Sequence, residues 1–402
     1  MSRTRARMHA PEPAITSPTD THTRHRRQRR EAGLDGTLRG QPAIRRRRAT
    51  DGAQLPRISV PVVLTVGLFL LAFAAQAESL SGIGGTFPAL VYIKWGKAAQ
   101  QTTSLQLTYK AVDSGKGEAA IISHDADFGA SEAPMSRDAR AANRLLQFPT
   151  LIGAIVPIVN LPQVREGELK LTGALLADIY AGNIRKWNDP QIAEINPGVL
   201  LPNVSIAIVH RYEASGTSFV FTSYLARASQ AWRNRVGAGM TVKWPVGAGA
   251  IGNDGVATTV NITRGGIGYV DYAFAVQHHL SMVRLQNPAG AFVRPAPDGF
   301  AAAAAAADWN VSDFAVNLID MPGPAAWPLM TPTFVVVSSD PNFHDRTARA
   351  IRFFAWAFAH GGAVAASLGF ITLPQRVQDS VRASWPDVLG DTPAAEGSAG
   401  AR

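Results

Sequence analysis

Four short segments of the chain carry residue types that together could bind a small tetrahedral oxyanion. Three of them are rich in Gly, Ser and Thr, whose backbone N–H groups and hydroxyls donate hydrogen bonds. One segment also holds the guanidinium of Arg211, and another holds the carboxylate of Glu132. Because the oxygens of a buried anion need donors, this set favours an oxyanion site that requires no metal. The four segments are 82–88, 114–117, 131–134 and 211–217.

Three of these segments lie between an apolar run that predicts a strand and a run with helical spacing. A helix start leaves backbone N–H groups unpaired and carries a partial positive charge, so three starts that converge could hold an anion. The first helix is predicted to open at Phe87-Pro88, since Pro is tolerated in a first turn. The strands are predicted over 79–83, 105–109 and 204–209. Further donors would come from the hydroxyls of Thr86, Ser114, Ser215 and Thr217.

Each segment alone also has a simpler interpretation. Gly, Ser and Thr before a helix are ordinary capping and turn residues. Arg211 and Glu213 could form a solvated ion pair that contributes little stability. The joint occurrence of all four segments is what favours the anion site.

Eight longer motifs follow one another along the chain and resemble those of the periplasmic phosphate-binding proteins of bacterial phosphate ABC transporters. The resemblance extends from about Glu78 to about Leu389. It implies an α/β, two-lobed periplasmic binding protein fold of type II-like form, with a hinge between the lobes and the ligand in the cleft. Lobe I would comprise 78–156 plus 326–391, and lobe II 157–325. The motifs are 84–89, 127–131, 147–150, 178–182 with 186–187, 215–225, 241–245, 252–255 and 266–270.

The resemblance also implies which positions contact phosphate. Glu132 stands where the family has a ligand-facing Asp, and Glu213 stands where the family has the Asp partner of the arginine. Both changes keep the charge and add one methylene. A third departure is Ala214, which replaces a Gly of the family. The remaining implied contacts are Thr86, Phe87 (through its backbone N–H), Ser114, Arg211, Ser215, Gly216 and Thr217.

The carboxylate of Glu132 has a chemical role in such a site. Phosphate near neutral pH keeps at least one proton, and Glu132 can accept the hydrogen bond that this proton makes. Fully ionised sulfate would instead meet the carboxylate lone pair to lone pair. A site built around such a bond can discriminate between ligands by ~10⁴ or more. Sulfate or molybdate binding is the alternative within the same class, and Glu132 argues against it.

The formal net charge of +9 is concentrated at the start of the chain. Residues 1–57 contain 14 Arg and 5 acidic residues, which accounts for the whole excess, and the remainder is formally neutral. A neutral body does not attract nucleic acid, so no nucleic-acid partner is predicted. Segment 1–57 is predicted to be a basic, Arg-rich disordered extension, and 392–402 a disordered tail.

Residues 58–77 predict a signal peptide. The segment carries no charge, follows Arg57 and ends in Ala75-Gln76-Ala77, so cleavage is expected after Ala77. A membrane-spanning anchor fits the length but not the small residues at the end. The chain has no Cys, which excludes disulfides and lipid attachment through an N-terminal Cys. We therefore expect the mature protein to be free in the periplasm.

Strand-like and helical runs alternate after the signal segment, which predicts an α/β fold. An exported phosphatase is a weaker alternative, because Ser215 lies in Ala-Ser-Gly-Thr and not in G-x-S-x-G. His278-His279 has no third ligand at useful spacing, so no metal is predicted. The expectation is a monomeric binding protein without enzymatic activity or cofactor, whose partners are inorganic phosphate and the permease subunits of the transporter.

Overall fold

Strands and helices alternate through the structure, a computed structural model that describes residues 78–310 and 313–385. The predicted α/β class is confirmed. The predictions for 1–57, 58–77 and 392–402 lie outside the described residues. The strands are β1 Glu78–Gly84, β2 Leu105–Ala111, β3 Phe128–Ser131, β4 Leu145–Val159, β5 Lys170–Leu171, β6 Ala207–Arg211, β7 Ala248–Ala250, β8 Gly266–Asp271, β9 Arg284–Gln286, β10 Phe292–Val293 and β11 Met330–Ser338.

The helices lie mainly in the connections between these strands. They are α1 Ala89–Gln100, α2 Ser114–Ile122, α3 Arg137–Ala142, α4 Gly173–Tyr180, α5 Pro190–Ile195, α6 Gly216–Ala228, α7 Gln230–Arg235, α8 Gly252–Ile262, α9 Tyr272–Gln277, α10 Pro297–Ala305, α11 His344–His360, α12 Gly362–Ser367 and α13 Gln375–Ser384, with a short 3-10 turn at Pro341–Phe343. Within these described ranges, none of the helices is long and apolar enough to cross a membrane.

One eight-stranded sheet, in the order β2-β1-β3-β11-β4-β8-β6-β7, organises the fold. Strand β4 pairs with β11 through 145–154 and with β8 through 155–159, both antiparallel. We call β2, β1, β3, β11 and the first part of β4 the first section, and the rest of β4 with β8, β6 and β7 the second section. In the first section β1 is parallel to both β2 and β3. In the second section β6 is parallel to both β7 and β8. These are the strands that precede the candidate site. A smaller sheet has the order β10-β9-β5.

The predicted boundaries are close but differ at two places. Helix α1 begins at Ala89, and Pro88 is its N-cap residue instead of part of its first turn. Strand β6 begins at Ala207 and not at Val204. The reason is that the preceding residues pair elsewhere, since Trp187 N donates to Val204 O and Ile206 N donates to Arg185 O.

Buried tryptophans link the strands to the loops around them. Trp327 is fully buried and its Nε1 donates to Ile155 O at 3.0 Å. Ile155 is the first residue of β4 that pairs with β8, and its N–H donates to Leu329 O at 2.9 Å. The chain segment that enters β11 is therefore held against β4 at the junction of the two sections.

Candidate anion-binding site

The candidate site forms where the carboxyl ends of parallel strands from the two sections meet. In open α/β sheets ligands bind outside the carboxyl ends of the strands. A hydrogen bond joins the strand ends of the first section to those of the second section. It runs from Gly115 N, after β2, to Ala214 O, after β6, at 3.0 Å. The segments that follow β1, β2 and β3 in the first section, and β6 and β7 in the second, hold the residues that the sequence nominated.

Ser114 is the first residue of α2, but it does not cap that helix. Asp113 does so, because its carboxylate accepts the N–H of Lys116 at 2.7 Å. The hydroxyl of Ser114 is therefore available to the site. It accepts the N–H of Gly216 at 2.9 Å and donates to Glu132 Oε2 at 3.4 Å.

The carboxylate of Glu132 is tightly enclosed and its residue is 2% exposed. A Cβ added to Gly216 would lie 2.6 Å from Glu132 Oε2 and 2.7 Å from Ser114 Oγ. A Cβ added to Gly85 would lie 3.0 Å from Glu132 Oε2. At Gly216 a Cβ would also lie 2.7 Å from the backbone N of Glu132, so a larger residue there would force a shift, whereas at Gly85 the carboxylate would need to move only slightly.

Arg211 ends β6 and its side chain is 1% exposed. Its Nε donates to Glu213 Oε1 at 2.6 Å, and its Nη2 pairs with the same oxygen. Glu213 Oε1 also accepts the N–H of Gly252 at 2.9 Å, while Arg211 N donates to the hydroxyl of Tyr269 at 3.1 Å. Glu213 therefore forms a buried ion pair that fixes the guanidinium, and the interpretation as a solvated pair is wrong.

Helix α6 begins at Gly216 and brings the Ser-Gly-Thr run to the site. Ser215 is its N-cap, because its Oγ accepts the N–H of Ser218 at 3.2 Å. The capping interpretation thus holds for Ser215, and its hydroxyl hydrogen still has to be donated to another group. Gly216 and Thr217 are buried in the first turn.

Thr86 and Phe87 connect β1 to α1. Phe87 is buried and packs edge-to-face against Phe370, with 5.6 Å between ring centroids. A Cβ added to Gly252 would lie 3.6 Å from Thr86 Cγ2, so Thr86 faces the segment that supports Glu213. These contacts place the start of α1 beside the Arg211 network.

Five buried polar atoms in and beside the site have no hydrogen-bond partner among the described residues. They are Thr86 Oγ1, Glu132 Oε1, Arg211 Nη1, Glu213 Oε2 and Asn253 Oδ1. Buried polar atoms are nearly always paired, because leaving one unpaired costs ~1 to 3 kcal/mol. The unpaired donors of Thr86 and Arg211 can bind an anion, and the unpaired oxygen of Glu132 can accept a proton, so these three atoms fit a polar ligand that both accepts and donates hydrogen bonds.

A family profile described as a PBP superfamily domain matches residues 72–360. The phosphate-binding protein PstS of Haemophilus influenzae is 41% identical over 328 residues, which covers 81% of this chain and 97% of that protein. The phosphate-binding protein PstS of Pasteurella multocida is 41% identical over 325 residues, with 81% and 94% covered. The chain belongs to the PstS family.

Solved structures show the same fold as this PstS family member. A high affinity periplasmic phosphate-binding protein (PfluDING) bound with phosphate has a TM-score of 0.61 at 20% identity and covers 77% of this chain and 94% of that chain. A phosphate binding protein from Stenotrophomonas maltophilia has a TM-score of 0.58 at 17% identity, with 76% and 94% covered. At these identities the likeness concerns the fold alone, and it confirms the two-lobed periplasmic binding fold.

Two buried residues near the PstS site were not nominated from the sequence. Asp271 ends β8, is 3% exposed and accepts the N–H of Phe274 at 2.8 Å as the N-cap of α9. Asn253, in the first turn of α8, donates through Nδ2 to Asp271 Oδ2. The motif 252–255 entered the resemblance without a role. Motif 252–255 follows the parallel strand β7, and this position was the one signal that could have indicated that the motif belongs to the site.

The site holds more acidic groups than the single guanidinium can offset. Burial raises the pKa of Glu132 to about 8, against the lowering effect of Arg211. Burial likewise raises the pKa of Asp271 to about 7. Repulsion from Asp271 contributes to the raised pKa of Glu132. Both carboxyl groups therefore bind protons more readily than exposed ones.

The structure brings the nominated residues into one place. Ser114, Glu132 and Gly216 are linked by hydrogen bonds or close approach, and Arg211 is fixed beside them by Glu213. Their roles as phosphate contacts remain predictions. Within 78–310 and 313–385, no group of three or more His, Cys, Asp or Glu side chains is arranged to hold a metal ion.

Proposed function

We propose that this chain binds inorganic phosphate between its two lobes in the periplasm and delivers it to the permease subunits of an ABC-type phosphate importer. The observation that supports this proposal most directly is the set of buried atoms on Thr86, Glu132 and Arg211 that have no hydrogen-bond partner among the described residues. The printed names of the Haemophilus and Pasteurella relatives support phosphate as the ligand. In this proposal lobe I comprises 78–156 plus 326–391, and lobe II 157–325.

The donors come from both lobes. Arg211 Nη1 supplies the charge-assisted bond, which is about twice as strong as a neutral one. Neutral donors reach the anion from the helix starts, where backbone N–H groups favour negative charge. Closure of the lobes removes water and strengthens these bonds. The proposed neutral contacts are Thr86, the N–H of Phe87, Ser114, Ser215, Gly216 and Thr217.

Glu132 supplies selectivity for a ligand that carries a proton. Its Oε1 is buried and has no partner within the described residues, so it can share a proton with one phosphate oxygen. When ionised, it repels a fully ionised anion such as sulfate. Phosphate is therefore favoured over sulfate and molybdate, which the donor set alone would also accept.

We propose binding without catalysis. The hydroxyl of Ser215 accepts a backbone N–H as a helix cap, a geometry that serves α6 and not activation by a base. Membership of the PstS family supports a transport role. Export by a signal peptide cleaved after Ala77 and a monomeric mature protein complete the proposal.

Calorimetric titration of protein that begins at Glu78 tests this function. We expect one phosphate per monomer and, at about pH 9 where Glu132 is ionised, much weaker binding of sulfate and molybdate at the same ionic strength. Light scattering reports the oligomeric state, and mass spectrometry of the periplasmic protein reports the mature N-terminus. Sulfate binding as tight as phosphate binding, or no phosphate binding, would contradict the proposal.

A further inference from the structure

The carboxylate of Glu132 lies where three helix starts meet. Its Oε2 is 3.4 Å from Ser114 Oγ at the start of α2. The same oxygen would be 2.6 Å from a Cβ on Gly216, which begins α6, and 3.0 Å from a Cβ on Gly85, which precedes α1. The carboxylate thus lies beside the donors that an anion would use.

A carboxylate is itself an oxyanion, so it can satisfy those donors in place of a ligand. The hydroxyl hydrogen of Ser114 points to Glu132 Oε2, and Gly216 N–H is directed at Ser114 Oγ. An anion that takes the Ser114 hydrogen must first displace this oxygen. The side chain of an Asp at position 132 would be one C–C bond shorter, which withdraws the carboxylate by ~1.5 Å. Its oxygens would then lie beyond hydrogen-bonding distance of Ser114 Oγ.

A cavity of about 170 Å³ has Glu132 among its lining residues. One water occupies about 30 Å³ in the liquid, so the cavity has room for a carboxylate. Its walls come from both sections, with Pro134 and Met330 on one side and Val220 and Ser223 of α6 on the other. Ser223, Asn317 and Thr331 add polar groups to a lining that is mostly apolar.

We propose that Glu132 competes with the ligand for the anion donors and turns into this cavity when phosphate binds. From there its carboxylate faces the ligand from the side and accepts the ligand's proton. The inference rests on the proposed function and adds to it. Glu132 sets the affinity by competition, besides setting the selectivity through the proton.

A double-mutant cycle tests the competition. Glu132→Asp shortens the competitor, and Ser223→Leu fills the cavity. In the part of the chain that the structure describes, the hydrogen bond given for Ser223 Oγ runs back to Phe219 O within α6, so its loss leaves the helix intact. Ser380→Leu is the matched control, because exposed Ser380 makes the same type of bond to Arg376 O in α13. Phosphate affinity of all variants is measured by calorimetry at one ionic strength and at about pH 9, where Glu132 is ionised, with thermal melts to verify folding.

We expect Glu132→Asp to bind phosphate about fivefold or more tightly than the unchanged protein. Ser223→Leu should weaken binding about fivefold when Glu132 is present and by less than about twofold in the Glu132→Asp background. Ser380→Leu should have no effect. Weaker binding by Glu132→Asp, or equal effects of Ser223→Leu in both backgrounds, would overturn the inference while the proposed function stands. Absence of phosphate binding in every variant and in the unchanged protein would overturn both.

Discussion

The backbone N–H of Gly216 donates to Ser114 Oγ at 2.9 Å, and this bond joins the two sections of the sheet. Beside it, a Cβ on Gly115 would lie only 2.6 Å from the Cβ of Ala214. The two sections therefore approach each other closely at the candidate site, with only the small side chains of Ser114 and Ala214 at these two contacts. The site is shaped by backbone approach as much as by side-chain chemistry.

Gly216→Ala should abolish most phosphate binding, since its Cβ would lie 2.7 Å from the backbone N of Glu132 and 2.6 Å from its Oε2. A backbone atom cannot move aside cheaply, so closure would be impaired. We expect a loss of about tenfold or more in affinity by calorimetry. Gly362→Ala is the matched control, because Gly362 also begins a helix and its nearest contact would be 3.5 Å. Equal affinities for the two variants would show that the approach at 216 is not required.

Arg211→Ala should lose most phosphate binding, because the anion would lose its charge-assisted donor and Glu213 would lose its buried partner. The expected cost is ~3 to 5 kcal/mol. Arg211→Lys keeps the charge without the fork of the guanidinium and should recover part of the affinity. Exposed Arg165→Ala serves as the control. A change of less than about threefold in Kd for Arg211→Ala would mean that another group holds the anion.

The preference for phosphate over sulfate should increase with pH. Above the Glu132 pKa of about 8 the carboxylate is ionised and repels sulfate, whereas below it the protonated carboxyl can donate to sulfate. Arg211, Glu213 and Asp271 are the other charged groups of the site, and Arg211 alone offsets that repulsion. Affinities for both anions are measured at about pH 6 and about pH 9, on either side of this pKa.

The Glu132→Gln variant provides the comparison for that measurement, because Gln keeps the shape of the side chain but has no carboxyl group that can titrate. Sulfate should gain relative to phosphate by something like 1 to 3 kcal/mol, and the remaining pH dependence should be that of phosphate and of Asp271, whose pKa of about 7 lies in the same range. Glu132→Asp should stay phosphate-selective. An unchanged phosphate-to-sulfate ratio in the Gln variant would show that Glu132 does not contact the ligand.

Folding stability in phosphate-free buffer should fall as pH rises through the range set by Glu132. Its pKa rises from 4.5 to about 8 on folding, so its contribution is complete below the lower value and lost above the higher one. Glu132→Gln should flatten this fall in denaturant midpoints, whereas exposed Glu194→Gln should not. Asp271, with a folded pKa of about 7, should add a similar loss that Asp271→Asn reduces. Identical pH profiles for the 132 and 194 variants would contradict the prediction.

The sequence alone determined the features that depend on neighbouring residues. Helices beginning near 87, near 114–118 and near 215–219 follow from the local order of apolar run, Gly or Ser, and helical run. Motifs such as 215–225 indicated the family. The α/β class followed from alternation of strands and helices, because each periodicity is a property of a short segment.

Only the tertiary structure decided how these segments meet. Asp271 and Asn253 reach the site because β8 pairs with β4 and α8 follows β7, and no local pattern indicates that pairing. The same holds for the carboxylate of Glu132, which lies between Gly85 and Gly216 although 131 positions separate those two glycines. The length of a side chain is encoded at one position, but the groups it reaches, and the pKa that its burial produces, depend on backbone segments brought together by folding.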